Sequence, residues 1–220
     1  GVRLVGSEMC IRDSLISFFL KVKKKISINN FLHLSHLENI KKILSTFNYS
    51  ISKSDLNILD EKKINKFDKK NYVLLHFDEK WVNKTYINEY SNIEPQKKEL
   101  IEFFKSIISI TKKKLIVTTG SHAPKILDDI FNNFQNKDIF FFRELDFLQL
   151  ESVVVSSDLL ISCHGSVSHL ASAKEIKQID IIDKSYNYGR WTEHFRNYNY
   201  IHRNNFSILA SQITVKLCNF

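Results

Sequence analysis

Leu159–Asp183, "LLISCHGSVSHLASAKEIKQIDIID", passes from an apolar run into His, Gly and Ser, then through small residues into a second apolar run. The spacing predicts a strand over Leu159–Cys163, a helix over Val167–Ala173 and a strand over Gln178–Ile182. Apolar runs of this kind, joined by a short helix, belong to strands covered on both faces in a parallel sheet. The same unit recurs on either side. Upstream, Tyr72–Phe77 ("YVLLHF"), Leu115–Thr119 ("LIVTT") and Ile139–Phe142 are strand-like, while helical spacing covers Leu100–Ile110, Ile126–Phe134 and Leu145–Ser156. Downstream, Tyr198–Ile201 is a closing strand and Phe206–Leu217 a last helix. Residues 71–220 are therefore expected to form one α/β domain, a doubly wound, Rossmann-like parallel sheet with strand order 3-2-1-4-5-6.

In that order the first and fourth strands are neighbours whose chains leave in opposite directions, opening a crevice at their carboxyl ends. The loops that meet there are residues 78–85 ("DEKWVNKT") and 164–168 ("HGSVS"). Gly165 and Ser166 let backbone come close to a ligand. The helix that follows, opening at Val167, has unpaired N–H groups and a positive dipole end, which favour a phosphate or carboxylate. Lys80 and Lys84 bring positive charge from the facing loop, and Trp81 brings a flat face. The combination suits a nucleotide diphosphate. The alternative is structural: Gly and Ser between a strand and a helix are ordinary turn and cap residues, and Trp81 has packing as its other use. His76, His164 and His169 fall at the same end, but no carboxylate stands at ligand spacing beside them, so no metal is expected.

A chain of 220 residues with 43% hydrophobic content has room for one full domain and part of a second. The formal net charge is +8, and 26 of the 32 basic residues are Lys, in a chain also rich in Asn and Ile, as AT-rich coding produces. The Lys runs at 23–25 and 112–114 are expected to be solvated, leaving acidic partners such as phosphates as the weaker implication of the charge. The Lys residues are spread along the chain without an RNA or DNA motif, so nucleic acid is not an expected partner. Cys10, Cys163 and Cys218 lie far apart with no C-x-x-C pair, which indicates neither a disulfide framework nor a zinc knuckle and favours a reducing, cytoplasmic setting. Leu15–Leu20 is shorter than a signal peptide's apolar core or a spanning helix. Phe77–Lys80 holds no Gly, so a dinucleotide or methyl-donor site is not expected there, and no cofactor is indicated.

Gly1–Ser14, "GVRLVGSEMCIRDS", resembles translated sequencing-adapter read-through and is expected to be a non-native scar. Residues 15–70 are rich in Lys, Asn and Ser, with one amphipathic helix marked by Phe31, Leu34, Leu37, Ile40, Ile43 and Leu44. They read as a linker or the remnant of an N-terminal domain.

"CHGSVSHLASAKEIKQIDII" resembles the signature of the heptosyltransferase family of GT-B glycosyltransferases (glycosyltransferase family 9), roughly D-[ST]-G-P-M-H-[LI]-A-A-A before a buried strand. His164, Gly165, Ser166, Val167, Ser168, His169, Leu170 and Ala171 occupy those positions. "LLHFDEKW" is similar to the family segment in which a strand ends in His and a Lys beside a Trp reaches the donor phosphates, which points to His76, Lys80 and Trp81. "VTTGSHAP" and "ELDFLQLESVVVSSDLLIS" stand where the family has its second strand and the helix before its signature; the resemblance runs through residues 30–205. Three departures leave the donor open: the family's Asp is His164, its Ser/Thr and Gly are exchanged as Gly165 and Ser166, and Pro-Met is Val167-Ser168.

The resemblance implies the carboxyl-terminal, donor-binding half of a metal-independent, inverting glycosyltransferase. Such an enzyme moves a sugar from a nucleotide-diphosphate sugar to a cell-envelope glycan or glycolipid acceptor, as in lipopolysaccharide synthesis. The implied donor-binding residues are Lys80, Trp81, Lys84, Gly165, Ser166, Val167, His169, His76 and His164, with Arg190 from "YGRWTEHFRNYNYIHR". The general base is expected in the N-terminal domain, so this chain is expected to be inactive alone. The expected location is cytoplasmic, with peripheral contact to the inner membrane through the basic surface. Two alternatives stay open: a nucleotide-sugar epimerase of GT-B architecture, and a non-enzymatic basic α/β binding domain.

Overall fold

In the computed structural model, which describes residues 34–50, 71–82, 93–120, 123–134 and 136–219, six parallel strands form one sheet in the order β3-β2-β1-β4-β5-β6. The strands are β1 (Tyr72–His76), β2 (Lys114–Thr118), β3 (Ile139–Phe142), β4 (Leu159–Cys163), β5 (Lys177–Ile182) and β6 (Tyr198–His202). The helices are α1 (His36–Ser45), α2 (Lys97–Thr111), α3 (Lys125–Asn133), α4 (Phe147–Ser156), α5 (Ser166–Ala173), α6 (Gly189–Thr192) and α7 (Phe206–Leu217). Order and parallel sense are those the sequence predicts.

Helix starts depart from the apolar periodicity by a few residues because polar caps, not apolar side chains, set them. Ahead of α4, Asp146 Oδ1 accepts from Gln149 N at 2.8 Å while Gln149 Oε1 accepts from Asp146 N at 3.0 Å. Helix α2 begins at Lys97 because Glu99 Oε2 accepts from Gln96 N at 2.8 Å.

Alternation along each strand splits the core in two. Val73, Leu75 and Phe77, with Val117, Ile161 and Ile179, pack against Phe103, Phe104 and Ile107 of α2 and Leu209 and Ile213 of α7. Tyr72, Leu74, Ile116 and Leu160 face the other way, onto Val153 and Val154 of α4 and Val167 and Leu170 of α5. Tyr72 OH ties the second layer down by donating to Val153 O at 2.5 Å.

The chain divides into two compact units, residues 1–52 with 189–193, and residues 53–188 with 194–220. In the smaller unit Ser35 caps α1, its Oγ accepting from Glu38 N at 3.2 Å. Phe31, the first residue of the predicted amphipathic stripe, lies outside the described residues, as does the whole of Gly1–Ser14. Among the described residues no helix is long and apolar enough to cross a membrane.

Candidate functional site

At the carboxyl end of the sheet, register lines up four polar residues: Thr118 of β2 opposite His76 of β1, His76 opposite Ser162 of β4, and Ser162 opposite Asp180 of β5. Their strand neighbours Val117, Leu75, Ile161 and Ile179 belong to the α2/α7 core, so the polar row lies under α5. All four are buried, and each is satisfied inside the protein, as burial requires. His76 Nδ1 pairs with Thr118 Oγ1 at 3.0 Å, and Ser162 Oγ with Ser168 Oγ at 3.2 Å. Burial pushes the His76 imidazolium down despite Asp78, whose Oδ2 lies 3.8 Å from Nε2, and this favours the neutral ring. His76 thus supports the turn above it from the core.

That turn is Glu79–Trp81, one turn of 3₁₀-helix capped by Asp78, which sequence periodicity is too short to show. Asp78 Oδ1 accepts from Lys80 N at 3.1 Å, and Oδ2 accepts from Lys80 Nζ at 2.9 Å. Burial works against the charge on Lys80, but the Asp78 carboxylate and its hydrogen bond more than offset this, and the Lys80 ammonium is held above its ordinary range. Its side chain is 21% exposed. From beyond β6, buried Arg203 donates through Nη2 to Lys80 O at 2.7 Å and reaches Cys163 Sγ at 3.5 Å through Nη1. Burial also pushes the Cys163 thiol up, so it stays protonated beside these charges.

Trp81 corrects an expectation. The ring is fully buried, stacks on Phe77 with centroids 4.9 Å apart, and donates Nε1–H to His76 O at 2.9 Å. A ring with no exposed surface, whose polar edge is spent inside the protein, is core and not a platform for a nucleotide base.

Gly165 lies against Lys80: a Cβ at position 165 would strike Lys80 Nζ. The backbone there is extended, with φ 174°, so the glycine is required for space and not for conformation. Helix α5 begins at Ser166, and its first N–H groups, including those of Ser166 and Val167, have no intrahelical acceptor. Val167's side chain is buried in the core, so it faces the turn only through its backbone. Gly165→Ala is therefore expected to keep the fold but lower the unfolding free energy by about 1–3 kcal/mol, because the end of the Lys80 side chain must move and its hydrogen bond to nearly buried Asp78 weakens. Thermal melting checks the fold.

His164 closes β4 and pairs through Nδ1 with Asp180 Oδ2 at 2.5 Å. Asp180, with no exposed surface, also accepts from Ser168 Oγ at 2.7 Å and from Tyr198 OH at 3.1 Å. Ser168 Oγ in turn accepts from Gly165 N at 3.3 Å, joining the carboxylate to the turn. His169 packs its ring 5.3 Å from that of His164 and 4.9 Å from Phe195. Among the described residues no group of His, Cys, Asp and Glu is arranged to hold a metal ion. Arg190 lies on α6 in the smaller unit, where Nε donates to Leu34 O at 3.3 Å. Lys84 lies outside the described residues. Asp78 and Asp180 were absent from the sequence candidates, although a lone Asp inside the run "QIDII" is a visible signal.

No protein-family model matches the chain, and no curated protein matches it. Among solved structures, E. coli heptosyltransferase WaaC with ADP-2-deoxy-2-fluoro heptose is similar over 92% of this chain and 61% of that one, at 12% identity and a TM-score of 0.57. The same enzyme with ADP is similar over 92% and 62%, at 10% identity and a TM-score of 0.56. E. coli ADP-heptose lps heptosyltransferase II follows at 9% identity over 70% and 49%, with a TM-score of 0.49. The chain thus spans 61–62% of the length of the WaaC chains it matches. At such identities the likeness is one of fold: the six-stranded, doubly wound parallel α/β sheet of this chain is similar in fold to the WaaC structures over that shared length.

Proposed function

We propose that the chain binds the nucleotide-diphosphate sugar donor of a glycosyltransferase acting on a cell-envelope glycan or glycolipid. The observation that carries this is the Lys80 ammonium, kept charged by Asp78 and lying against Gly165 where the carboxyl ends of β1 and β4 adjoin the N-terminus of α5. The fold supports it, because in doubly wound sheets ligands sit outside the carboxyl ends of strands at this switch point. A fixed ammonium and a row of free amides meet the negative charge of a diphosphate. They meet it more strongly as the bond to the sugar breaks and its electron pair stays on the phosphate oxygen.

The transfer we propose is inverting and uses no metal, with positive charge from the protein in its place. The base that takes the acceptor's proton is assigned to an N-terminal domain, and residues 71–220 to donor binding. The basic surface is assigned a peripheral contact with an anionic membrane on the cytoplasmic side.

Calorimetric titration with ADP, UDP, GDP and CMP tests this. One diphosphate should bind selectively, and Lys80→Ala should weaken it roughly ten- to a hundredfold, the value of a charge-assisted hydrogen bond. A folded chain that binds none of them, or a variant that binds as well as wild type, overturns the proposal. Product analysis with the preferred sugar donor separates transfer from epimerisation.

A further inference from the structure

We infer that Arg203 is a positioning residue for the candidate donor site: its guanidinium, reaching in from the end of β6, holds the Lys80 turn in place against the end of β4. The inference rests on the donor-binding reading above and deepens it, adding a residue that acts on the ligand through Lys80 and not by contact.

Lys80 stands in the middle of a three-residue 3₁₀ turn, closed by Trp81 N donating to Asp78 O and Val82 N donating to Glu79 O, each at 3.1 Å. So short a turn, with the poorer hydrogen-bond geometry of its class, does not fix its own position. Asp78 holds Lys80 through Oδ1 to N at 3.1 Å and Oδ2 to Nζ at 2.9 Å. Both bonds come from a residue two positions away, so they set the ammonium relative to Asp78 but not relative to Gly165 on the far wall. Arg203 supplies that reference. Its Nη2 donates to Lys80 O at 2.7 Å, and its Nη1 reaches Sγ of Cys163, the last residue of β4, at 3.5 Å. One planar fork thus ties the residue that bears the ammonium to the strand end that leads into Gly165.

Arg203 is itself fixed. Its backbone N donates to Ile182 O at 2.8 Å, carrying the β5–β6 pairing one residue further, and Asn205 just beyond caps α7 by accepting from Ile208 N at 3.0 Å. A rigid fork on a fixed backbone meets two acceptors in one geometry, which an ammonium on a flexible stem does not. Only 8% of the residue is exposed. Burying a guanidinium costs desolvation that an apolar side chain of similar volume avoids, so packing alone does not account for it.

Two measurements on the full chain test this, one of them independent of any ligand. In Arg203→Met, which keeps length and removes the donors, amide exchange at Trp81 and Val82 should quicken about tenfold or more, beyond any change in the β1–β4 ladder. Calorimetric titration with the nucleoside diphosphate that the chain prefers should show Arg203→Met weakening binding roughly five- to tenfold in the wild-type background and less than about twofold in a Lys80→Ala background. Arg203→Lys, which keeps the charge but not the fork, should recover part of both effects and carries the test if the methionine variant does not fold. Exchange that rises equally at the turn and in the ladder, or diphosphate affinity that stays at the wild-type value, reduces Arg203 to a structural residue and overturns the inference. Equal weakening in both backgrounds means that Arg203 meets the ligand itself and overturns it as well, leaving the donor site in place. A wild-type chain that binds no nucleoside diphosphate overturns the donor reading, and with it the role of Arg203 in binding.

Discussion

Trp81→Ala is expected to lower the unfolding free energy by about 3–5 kcal/mol, the range for removing a large aromatic ring from a packed core. The ring has no exposed surface, stacks on Phe77 at 4.9 Å and spends its N–H on His76 O at 2.9 Å. Removing it leaves a cavity beneath the turn that carries Lys80 and an unpaired carbonyl at the end of β1. Against a total stability of about 5–15 kcal/mol for a domain, that loss is large. Urea denaturation measures it, and Trp81→Phe divides it: the phenyl ring keeps most of the packing and loses the hydrogen bond, so about 1–2 kcal/mol should go. Had the indole served a nucleotide base, the alanine variant would remain within about 1 kcal/mol of wild type and lose affinity instead. A loss of that small size would return Trp81 to the ligand site.

The difference between Trp81 and its neighbours shows what the sequence makes legible. Strand bounds at Ile139–Phe142 and Leu159–Cys163 and the last helix at Phe206–Leu217 coincide with the structure, because apolar runs and 3.6-residue spacing record burial directly. Strand order follows too, since the connectivity rules of doubly wound sheets leave few choices once the elements are in sequence. The convergence of Lys80 with Gly165 comes from that topology alone. The direction of Trp81 does not, because a three-residue turn has no period to read and an indole suits core and ligand equally. Asp180 lies between these cases. "QIDII" places Asp180 and Gln178 on one face and Ile179 and Ile181 on the other, which local alternation shows. Its pairing with Ser162, and hence its reach to Ser168 and His164, depends on register across two strands joined by a helix. Likewise the association of Gly189–Glu193 with residues 1–52 in one unit joins segments far apart in sequence, and no local pattern reports it.

Asp180→Ala is the second substitution expected to cost heavily, at about 3–5 kcal/mol, because three donors lose their shared buried acceptor at once. The carboxylate is fully buried and gathers His164 Nδ1 at 2.5 Å, Ser168 Oγ at 2.7 Å and Tyr198 OH at 3.1 Å from three different segments. Alanine leaves all three donors facing apolar surroundings, and each unsatisfied donor costs about 1–3 kcal/mol unless water or movement relieves it. Asp180→Asn separates charge from shape: the amide oxygen can still accept from Ser168 or Tyr198, but its NH₂ opposes the Nδ1 proton of His164. It should therefore retain part of the stability while disturbing the histidine. A double-mutant cycle between Asp180→Ala and His164→Ala, followed by urea denaturation, isolates the pair. Residues in direct contact inside one hydrogen-bond network commonly couple by about 0.5–3 kcal/mol. Coupling in that range, with the double variant losing less than the sum of the two single losses, would show that the carboxylate is kept in the core to hold the imidazole. Strict additivity would mean that Asp180 serves the strand β5 through Ser168 and Tyr198 alone, and the ring would then need another reason for its orientation.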